Sequence, residues 1–212
     1  MANRSILTAI FLMLFILGNG LPASAKTHPT LQTIPSIYRE IAAEARVPAA
    51  FLYSLALVES SRRFKGGERP WPWTINVAGK GYRYETREEA WHALLRFVRQ
   101  APLKRIDVGI AQVNLGWNGH LFPSFYDVFD PNTNLRVAAQ ILRACYENRA
   151  GSWINAAGCY HHPAGGKPAA NYIAIVRRKL DTLAPVHIAV SSKTTISDVT
   201  SVNHPLIWIE PK

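Results

Sequence analysis

The most restrictive feature of the sequence is an uncharged, apolar run at residues 48–58, PAAFLYSLALV, in which Ser54 is the polar exception. A helix that is apolar on every face must be surrounded by protein. The run therefore predicts a central helix that begins near Pro48 and ends at Glu59 or Ser60. Glu59 puts a carboxylate at the end of this helix, where a buried charge is costly. Such an acid calls for a functional explanation.

Hydrophobic periodicity predicts further helices and one hairpin around this central helix. The helices are expected at residues 36–46, at residues 90–98 behind a Thr86/Glu89 capping box, and at residues 134–148, 153–160 and 169–183. Residues 73–86 alternate around Gly79-Lys80-Gly81 and predict a β-hairpin. Residues 103–114 are expected to form a loop or extended turn that leads into one helical turn. The predicted class is mainly α, with a small β-hairpin insertion.

The N-terminus has the pattern of a secretory signal peptide. Arg4 precedes an apolar segment at residues 6–17, and residues 23–25 (ASA) match a cleavage site. A transmembrane anchor is the alternative, but the segment is shorter than the ~20 residues that a span needs. We expect cleavage after residue 25, one domain over residues 26–184, a loosely held tail at 185–212 and no membrane span in the mature chain.

The chain has a formal net charge of +10, which attracts polyanions such as nucleic acid, anionic lipid or acidic wall polymers. Its basic residues are scattered rather than clustered with aromatic residues, and no nucleic-acid-binding signature occurs. An exported protein also meets envelope polymers before nucleic acid. The expected partner is therefore not a nucleic acid.

The sequence contains two cysteines, Cys145 and Cys159. In an exported protein such a pair can oxidise, and closing so short a loop would stabilise the fold by about 3 kcal/mol. Two small, buried apolar side chains are the alternative. Sequence spacing leaves both interpretations open.

Four short segments follow one another along the chain. They are Glu59-Ser60, residues 109–114 (GIAQVN), residues 156–160 (AAGCY) and residues 172–176 (YIAIV). Together they resemble the ordered motifs E-S, G-L-M-Q-x-N, A-Y-N-A-G and Y-x-x-V of the soluble-type lytic transglycosylases, lysozyme-like enzymes that cut bacterial peptidoglycan. The resemblance spans about residues 34–183 and implies a lysozyme-like helical domain with glycan strands as substrate. With the signal peptide, the expected location is the periplasm.

The sequence departs from this family pattern in three places. Ala111 replaces the methionine of the second motif, only Tyr160 carries over cleanly from the third, and a longer interval separates Glu59 from Gly109. That interval and the form of residues 107–110 (DVGI) resemble specialised members that accompany conjugation or secretion machines. The resemblance thus implies such an apparatus as a further partner.

Glu59 is the expected catalytic residue. Desolvation and its position at a helix C-terminus both favour the neutral carboxyl group and raise its pKa. A protonated carboxyl group can give the leaving oxygen of a glycosidic bond its proton. The resemblance implies that Glu59 acts as acid and then as base, and that no second carboxylate is required; no metal or cofactor is predicted. It also implies substrate contacts by Gln112, Tyr160, Asn114 and Ser60, with Tyr172 supporting the cleft.

Other interpretations stay open for several residues. Asp107 is expected to cap a loop around Gly109 and Ile110; its alternative role is the second carboxylate of a goose-type muramidase. Tyr172 is also typical of core packing. His161 and His162 are expected to be solvated polar residues rather than metal ligands.

Two interpretations concern larger features. Four aromatic residues of the insertion predict either sugar-stacking platforms or a local core: Trp71, Trp73, Tyr82 and Tyr84. The altered third motif and Ala111 are compatible with a peptidoglycan-binding assembly module that has lost turnover.

Overall fold

The computed structural model describes residues 31–149 and 151–185. The predicted signal peptide at residues 1–25 and almost all of the predicted C-terminal tail lie outside this part. The helices described are α1 (Ser36–Glu44), α2 (Ala49–Ser60), α3 (Arg87–Phe97), α4 (Leu115–Asn118), α5 (Pro131–Asn148), α6 (Trp153–His161) and α7 (Gly166–Leu180). The strands are β1 (Ser61–Phe64), β2 (Gly67–Pro70), β3 (Thr74–Val77), β4 (Lys80–Arg83), β5 (Ile106–Val108) and β6 (Val113–Asn114). The described domain is therefore mainly α with small antiparallel sheets.

Helix α2 lies at the centre of the domain, as its composition predicts. It packs against α1, α5, α6 and α7, and most of its side chains are buried. Helix α1 ends two residues before the predicted end because Arg46 adopts a positive φ of 54° and Val47 precedes Pro48. A residue before proline is driven out of the helical region.

The β structure is larger than the single hairpin that the sequence predicts. Strands β1 and β2 form a two-stranded antiparallel sheet directly after α2. Strands β4-β3-β5-β6 form a second, four-stranded antiparallel sheet in that order. The predicted hairpin is its β3–β4 half, but the turn lies at Ala78-Gly79, with φ values of 55° and 91°, rather than at Gly79-Lys80-Gly81. Positive φ at both central residues is typical of a type I′ turn.

The loop predicted at residues 103–114 is wrong where two short strands replace it, whereas the predicted helical turn that follows is confirmed as α4. A 3-10 turn at Leu103–Arg105 leads into β5, and a tight turn returns the chain to β6, where Asp107 pairs with Asn114. The strands are only three and two residues long, too short to show an alternating pattern. Strand β5 pairs with β3, a distant part of the chain, and β6 pairs with β5; sequence periodicity does not reveal such long-range pairing.

A disulfide bond between Cys145 and Cys159 joins α5 to α6, with the two Cα atoms 5.8 Å apart. This resolves the two interpretations of the cysteines in favour of the bridge. At the ends of the described segment, Gln32 pairs with Leu183 in an isolated β-bridge. No single helix among the described residues has the length and hydropathy of a membrane span; α1 and α2 meet that test only as a pair bent by 117°.

Candidate functional site

Glu59 occupies the penultimate position of α2 and is partly buried at the wall of a cleft. The end of the helix is held by its neighbour Ser60, which is fully buried. The Ser60 hydroxyl donates to the Ile110 carbonyl oxygen at 2.6 Å and accepts from the Trp71 backbone N–H at 3.1 Å. Ser60 therefore fixes the helix end in the core, and the structure does not bring it to the cleft surface as a substrate contact.

The surroundings of Glu59 favour a protonated carboxyl group. Burial raises its pKa from 4.5 to about 8, and the negative charge of Asp107 acts in the same direction. The Tyr172 hydroxyl donates to Glu59 Oε1 at 2.6 Å, which stabilises the carboxylate and opposes the rise. Desolvation outweighs this hydrogen bond. At pH 7 most of the Glu59 population therefore carries a proton.

Tyr172 combines the two roles that its sequence position suggests. Tyr172 lies on α7 and its ring is buried, with 4 % of the residue exposed. Burial raises the pKa of its hydroxyl well above 10. It does not line the cleft. The phenol is instead a fixed donor behind Glu59 that holds one carboxyl oxygen in place.

The turn between β5 and β6 is built around Asn134 of α5, a fully buried side chain. Its Oδ1 accepts from the Ala111 N–H at 3.0 Å, while its Nδ2 donates to the carbonyl oxygens of Val108 and Val128 at 3.1 and 3.0 Å. Gly109 has a φ of 82°, and a Cβ there would lie 2.2 Å from Asn134 Nδ2. Glycine is thus required by both conformation and space.

Gln112 follows in the same turn with a positive φ of 48°. Its Nε2 donates to the carbonyl oxygens of Gly109 and Thr74 at 2.8 and 3.1 Å. Because both partners are acceptors, the amide orientation is fixed with Nε2 toward them. The Oε1 atom has no hydrogen-bond partner within residues 31–149 and 151–185, so a ligand hydroxyl or amide N–H in the cleft is its natural donor.

Tyr160 on α6 also lines the cleft and is partly buried. Its hydroxyl donates to the Ala111 carbonyl oxygen at 2.8 Å, and burial together with the charges of Glu59 and Asp107 raises its pKa well above 10. The phenol is thus neutral at physiological pH, with an oxygen lone pair available to a ligand donor. The hydrogen bond ties α6, which carries Cys159 of the disulfide, to the turn between β5 and β6.

Asn114 lines the cleft, but its side chain is occupied within the protein. Nδ2 donates to the Lys104 carbonyl oxygen at 3.0 Å and to Asp107 Oδ1 at 2.8 Å. Its Oδ1 accepts from the N–H groups of Gly116 and Trp117 and caps α4. Asn114 therefore organises the cleft wall rather than offering a free group to substrate.

Asp107 lies on β5 and does not cap the loop as predicted. Its side chain accepts from Asn114 Nδ2, and Asn134 holds the turn at Gly109 and Ile110 instead. The Asp107 carboxyl group lines the same cleft as Glu59 and is partly buried. Burial raises the pKa of Asp107, whereas the hydrogen bond from Asn114 opposes that rise. A second acid therefore faces the cleft.

The cleft has a volume of about 800 Å³, within the range of ligand sites. Of the predicted site residues, it brings together Glu59, Gln112, Tyr160 and Asn114. The predicted platforms Trp71 and Trp73 are in the core, at 4 % and 6 % exposed. Tyr82 and Tyr84 of the same insertion are partly buried and do not line the cleft.

Three further features in and behind the cleft escaped the sequence patterns. Trp117, 63 % exposed, stands on α4 at the cleft, and its signal was the favoured N-cap residue Asn114 three positions earlier. Nothing in the sequence indicated that Asn134 is buried, because it is the first residue of the amphipathic helix predicted at residues 134–148. The third feature is the stacking of the His161 and Tyr172 rings, at 4.4 Å between centroids.

His161 and His162 both line the cleft. His161 is exposed, and burial of its stacked face together with neighbouring His162 lowers its pKa. Within the described ranges 31–149 and 151–185, no group of three or more His, Cys, Asp or Glu side chains is arranged to hold a metal ion.

A scan against models of known protein families gave no match, and a search of curated proteins found none with significant similarity. The function of this chain is therefore inferred from its fold and its cleft. They define a mainly α protein with a carboxylic acid held neutral in an open groove, beside a fixed amide and a neutral phenol. Such an acid can donate a proton at pH 7 and act as a base after losing it.

Proposed function

We propose that this protein is a lytic transglycosylase with a lysozyme-like domain, which cleaves the β-1,4 bond between N-acetylmuramic acid and N-acetylglucosamine in peptidoglycan. The observation that carries the proposal is the position of Glu59 beside Gln112 and Tyr160 in a groove of about 800 Å³, and burial there raises the pKa of Glu59 to about 8. A general acid works best with a pKa near the operating pH. The ordered sequence motifs support the same function.

In the proposed reaction, Glu59 first gives its proton to the glycosidic oxygen, and the bond from C1 to that oxygen breaks. The carboxylate then accepts the proton of the C6 hydroxyl while O6 bonds to C1. The product is a 1,6-anhydro sugar, Glu59 regains its proton, and no water is consumed. The Tyr172 hydroxyl, 2.6 Å from Oε1, stabilises the carboxylate formed between the two steps.

Gln112 and Tyr160 are the proposed substrate-contacting groups. The Gln112 Oε1 atom and the Tyr160 hydroxyl oxygen both accept hydrogen bonds and line the cleft with Glu59. Sugar hydroxyl groups and N-acetyl N–H groups are suitable donors. We further propose that the enzyme acts in the periplasm and opens the wall locally for a conjugation or secretion apparatus, as the sequence resemblance implies.

The enzyme differs from a non-catalytic wall-binding module in its response to Glu59→Gln. Clearing of purified peptidoglycan in a gel should fall by about 100-fold or more, the usual contribution of a general acid. Glu40→Gln, on an exposed residue of α1, is the matched control and should clear as the wild type does. If the wild type does not clear peptidoglycan, or if Glu59→Gln clears it equally, the catalytic assignment fails.

A second candidate is a hydrolase in which Asp107 activates water. It is favoured by one observation, the partly buried Asp107 carboxyl group in the same cleft as Glu59. The hydrogen bond from Asn114 Nδ2 helps to keep this group ionised. Asp107→Asn would then lose most activity, whereas the transglycosylase proposal expects activity to persist. Its fold should persist too, because asparagine can still accept the bond from Asn114.

A further inference from the structure

Trp117 is the most exposed large apolar side chain among the described residues, at 63 %. It lies on the wall of the cleft that contains Glu59. An indole ring presents a large flat apolar face, and burial of this face under a ligand is favourable. The apolar C–H face of a pyranose ring matches this surface. The position thus suits contact with a sugar on one side of the cleavage site.

The backbone around Trp117 is fixed rather than loose. Asn114 Oδ1 accepts from the Trp117 N–H at 3.2 Å, and Asn114 Nδ2 donates to the Lys104 carbonyl oxygen at 3.0 Å. At Gly116 a Cβ would lie 2.4 Å from the backbone nitrogen of Lys104, so only glycine allows the two segments to approach this closely. One asparagine and one glycine therefore hold Trp117 beside Lys104.

Lys104 brings a positive charge to this ring. Its Nζ lies 4.1 Å from the Trp117 ring centroid, a cation–π contact. No carboxylate pairs with Lys104 within the described chain. The cleft lining itself contains the acids Glu59 and Asp107 and, among described residues, no lysine or arginine. The Lys104 ammonium is thus a cation at the cleft rim that an anionic ligand group can reach.

We propose that Trp117 and Lys104 form a subsite for a sugar ring that carries a carboxylate, with the ring on the indole and the carboxylate on the ammonium. This inference rests on the proposed function, because it names the part of the glycan that the groove selects. In peptidoglycan such a carboxylate has two sources. It is the lactyl group of N-acetylmuramic acid where the peptide has been removed, or a carboxylate of the attached peptide. Asn114 is then a positioning residue for both members of the subsite.

The charge effect of this subsite is modest because Lys104 is exposed. Exposed ion pairs contribute little and weaken with added salt. Loss of the ammonium should therefore reduce affinity about three- to fivefold at low ionic strength. Loss of the indole should reduce it about tenfold for any glycan, charged or neutral.

The test measures binding by calorimetry with Glu59→Gln, which prevents turnover. Three probes share one alternating GlcNAc–MurNAc backbone: one with free lactyl carboxylates, one with those groups converted to methylamides, and one with intact peptides. Lys104→Met should weaken binding of the free-carboxylate probe three- to fivefold and leave the methylamide probe unchanged. If the peptide is the source, the peptide-bearing probe is the one that weakens. Lys80→Met is the control, because Lys80 makes a similar contact with Tyr82 outside the cleft, at 5.3 Å.

The remaining outcomes overturn the subsite. If Lys104→Met weakens binding of the methylamide probe equally, or weakens binding of no probe, Lys104 does not bind a carboxylate of the ligand. Undiminished affinity in Trp117→Ala would show that the indole ring is not a platform for the sugar. The proposed function fails separately: a protein that does not cleave peptidoglycan but keeps carboxylate-dependent binding retains the subsite and loses the catalysis.

Discussion

Replacement of Glu59 by glutamine should stabilise the protein at alkaline pH while it removes activity. The folded pKa is about 8 and the ordinary value is 4.5. Between these values the unfolded chain has released the proton that the folded chain retains. The free energy of unfolding therefore falls with rising pH, by ~1.4 kcal/mol per pH unit. Over the whole interval the loss is on the order of 5 kcal/mol, and glutamine, which does not ionise, avoids it.

The assay is urea unfolding of wild type and Glu59→Gln at several values between pH 5 and pH 9. The difference in unfolding free energy should grow in favour of the variant up to pH 8 and then level off. Subtraction of the two curves cancels the contributions of the other titrating groups. Glu40→Gln, on exposed α1, should give a flat difference. A flat difference for Glu59→Gln as well would refute the conclusion that burial raises the pKa of Glu59.

Three further changes test other parts of the site. Tyr172→Phe removes a donor to the Glu59 carboxylate, so the upper pKa in the pH profile of kcat/KM should rise by about one unit; an unchanged profile would mean that the bond does not act on Glu59. Asn134→Ala leaves three buried backbone groups unpaired and should lower the urea-derived free energy of unfolding by about 3 kcal/mol. A loss below ~1 kcal/mol would contradict this role of Asn134. Reduction of the Cys145–Cys159 disulfide should lower the same quantity by about 3 kcal/mol, and an unchanged urea midpoint would speak against that stabilisation.

The sequence predicted those elements whose stability comes from their own amphipathic pattern. Helix α2 was evident because no face of residues 48–58 is polar, and the start of α3 because Thr86 accepts from the Glu89 N–H as a cap should. The four-stranded sheet was not evident. Its inner strand β5 is three residues long and is stabilised by pairing with β3, about 30 residues earlier.

The site was predicted where a motif fixes a side chain in space. Glu59, Gln112 and Tyr160 all reach one cleft. The motifs also predicted substrate contacts by Ser60 and Asn114, but Ser60 is buried in the core and the Asn114 side chain forms its hydrogen bonds within the protein. The distinction between a buried and an accessible polar side chain depends on tertiary packing. The same holds for tryptophans, which are alike in sequence whether they fill a core or stand at a rim.

The most direct measurement is the mass of the products released from purified peptidoglycan at pH 7. A transglycosylase that uses Glu59 as acid and base produces 1,6-anhydro-N-acetylmuramic acid ends, each one water lighter than the hydrolytic product. Wild type and Glu40→Gln should release these anhydro ends, and Glu59→Gln should not. Products that carry an added water, or anhydro products undiminished in Glu59→Gln, would contradict this mechanism.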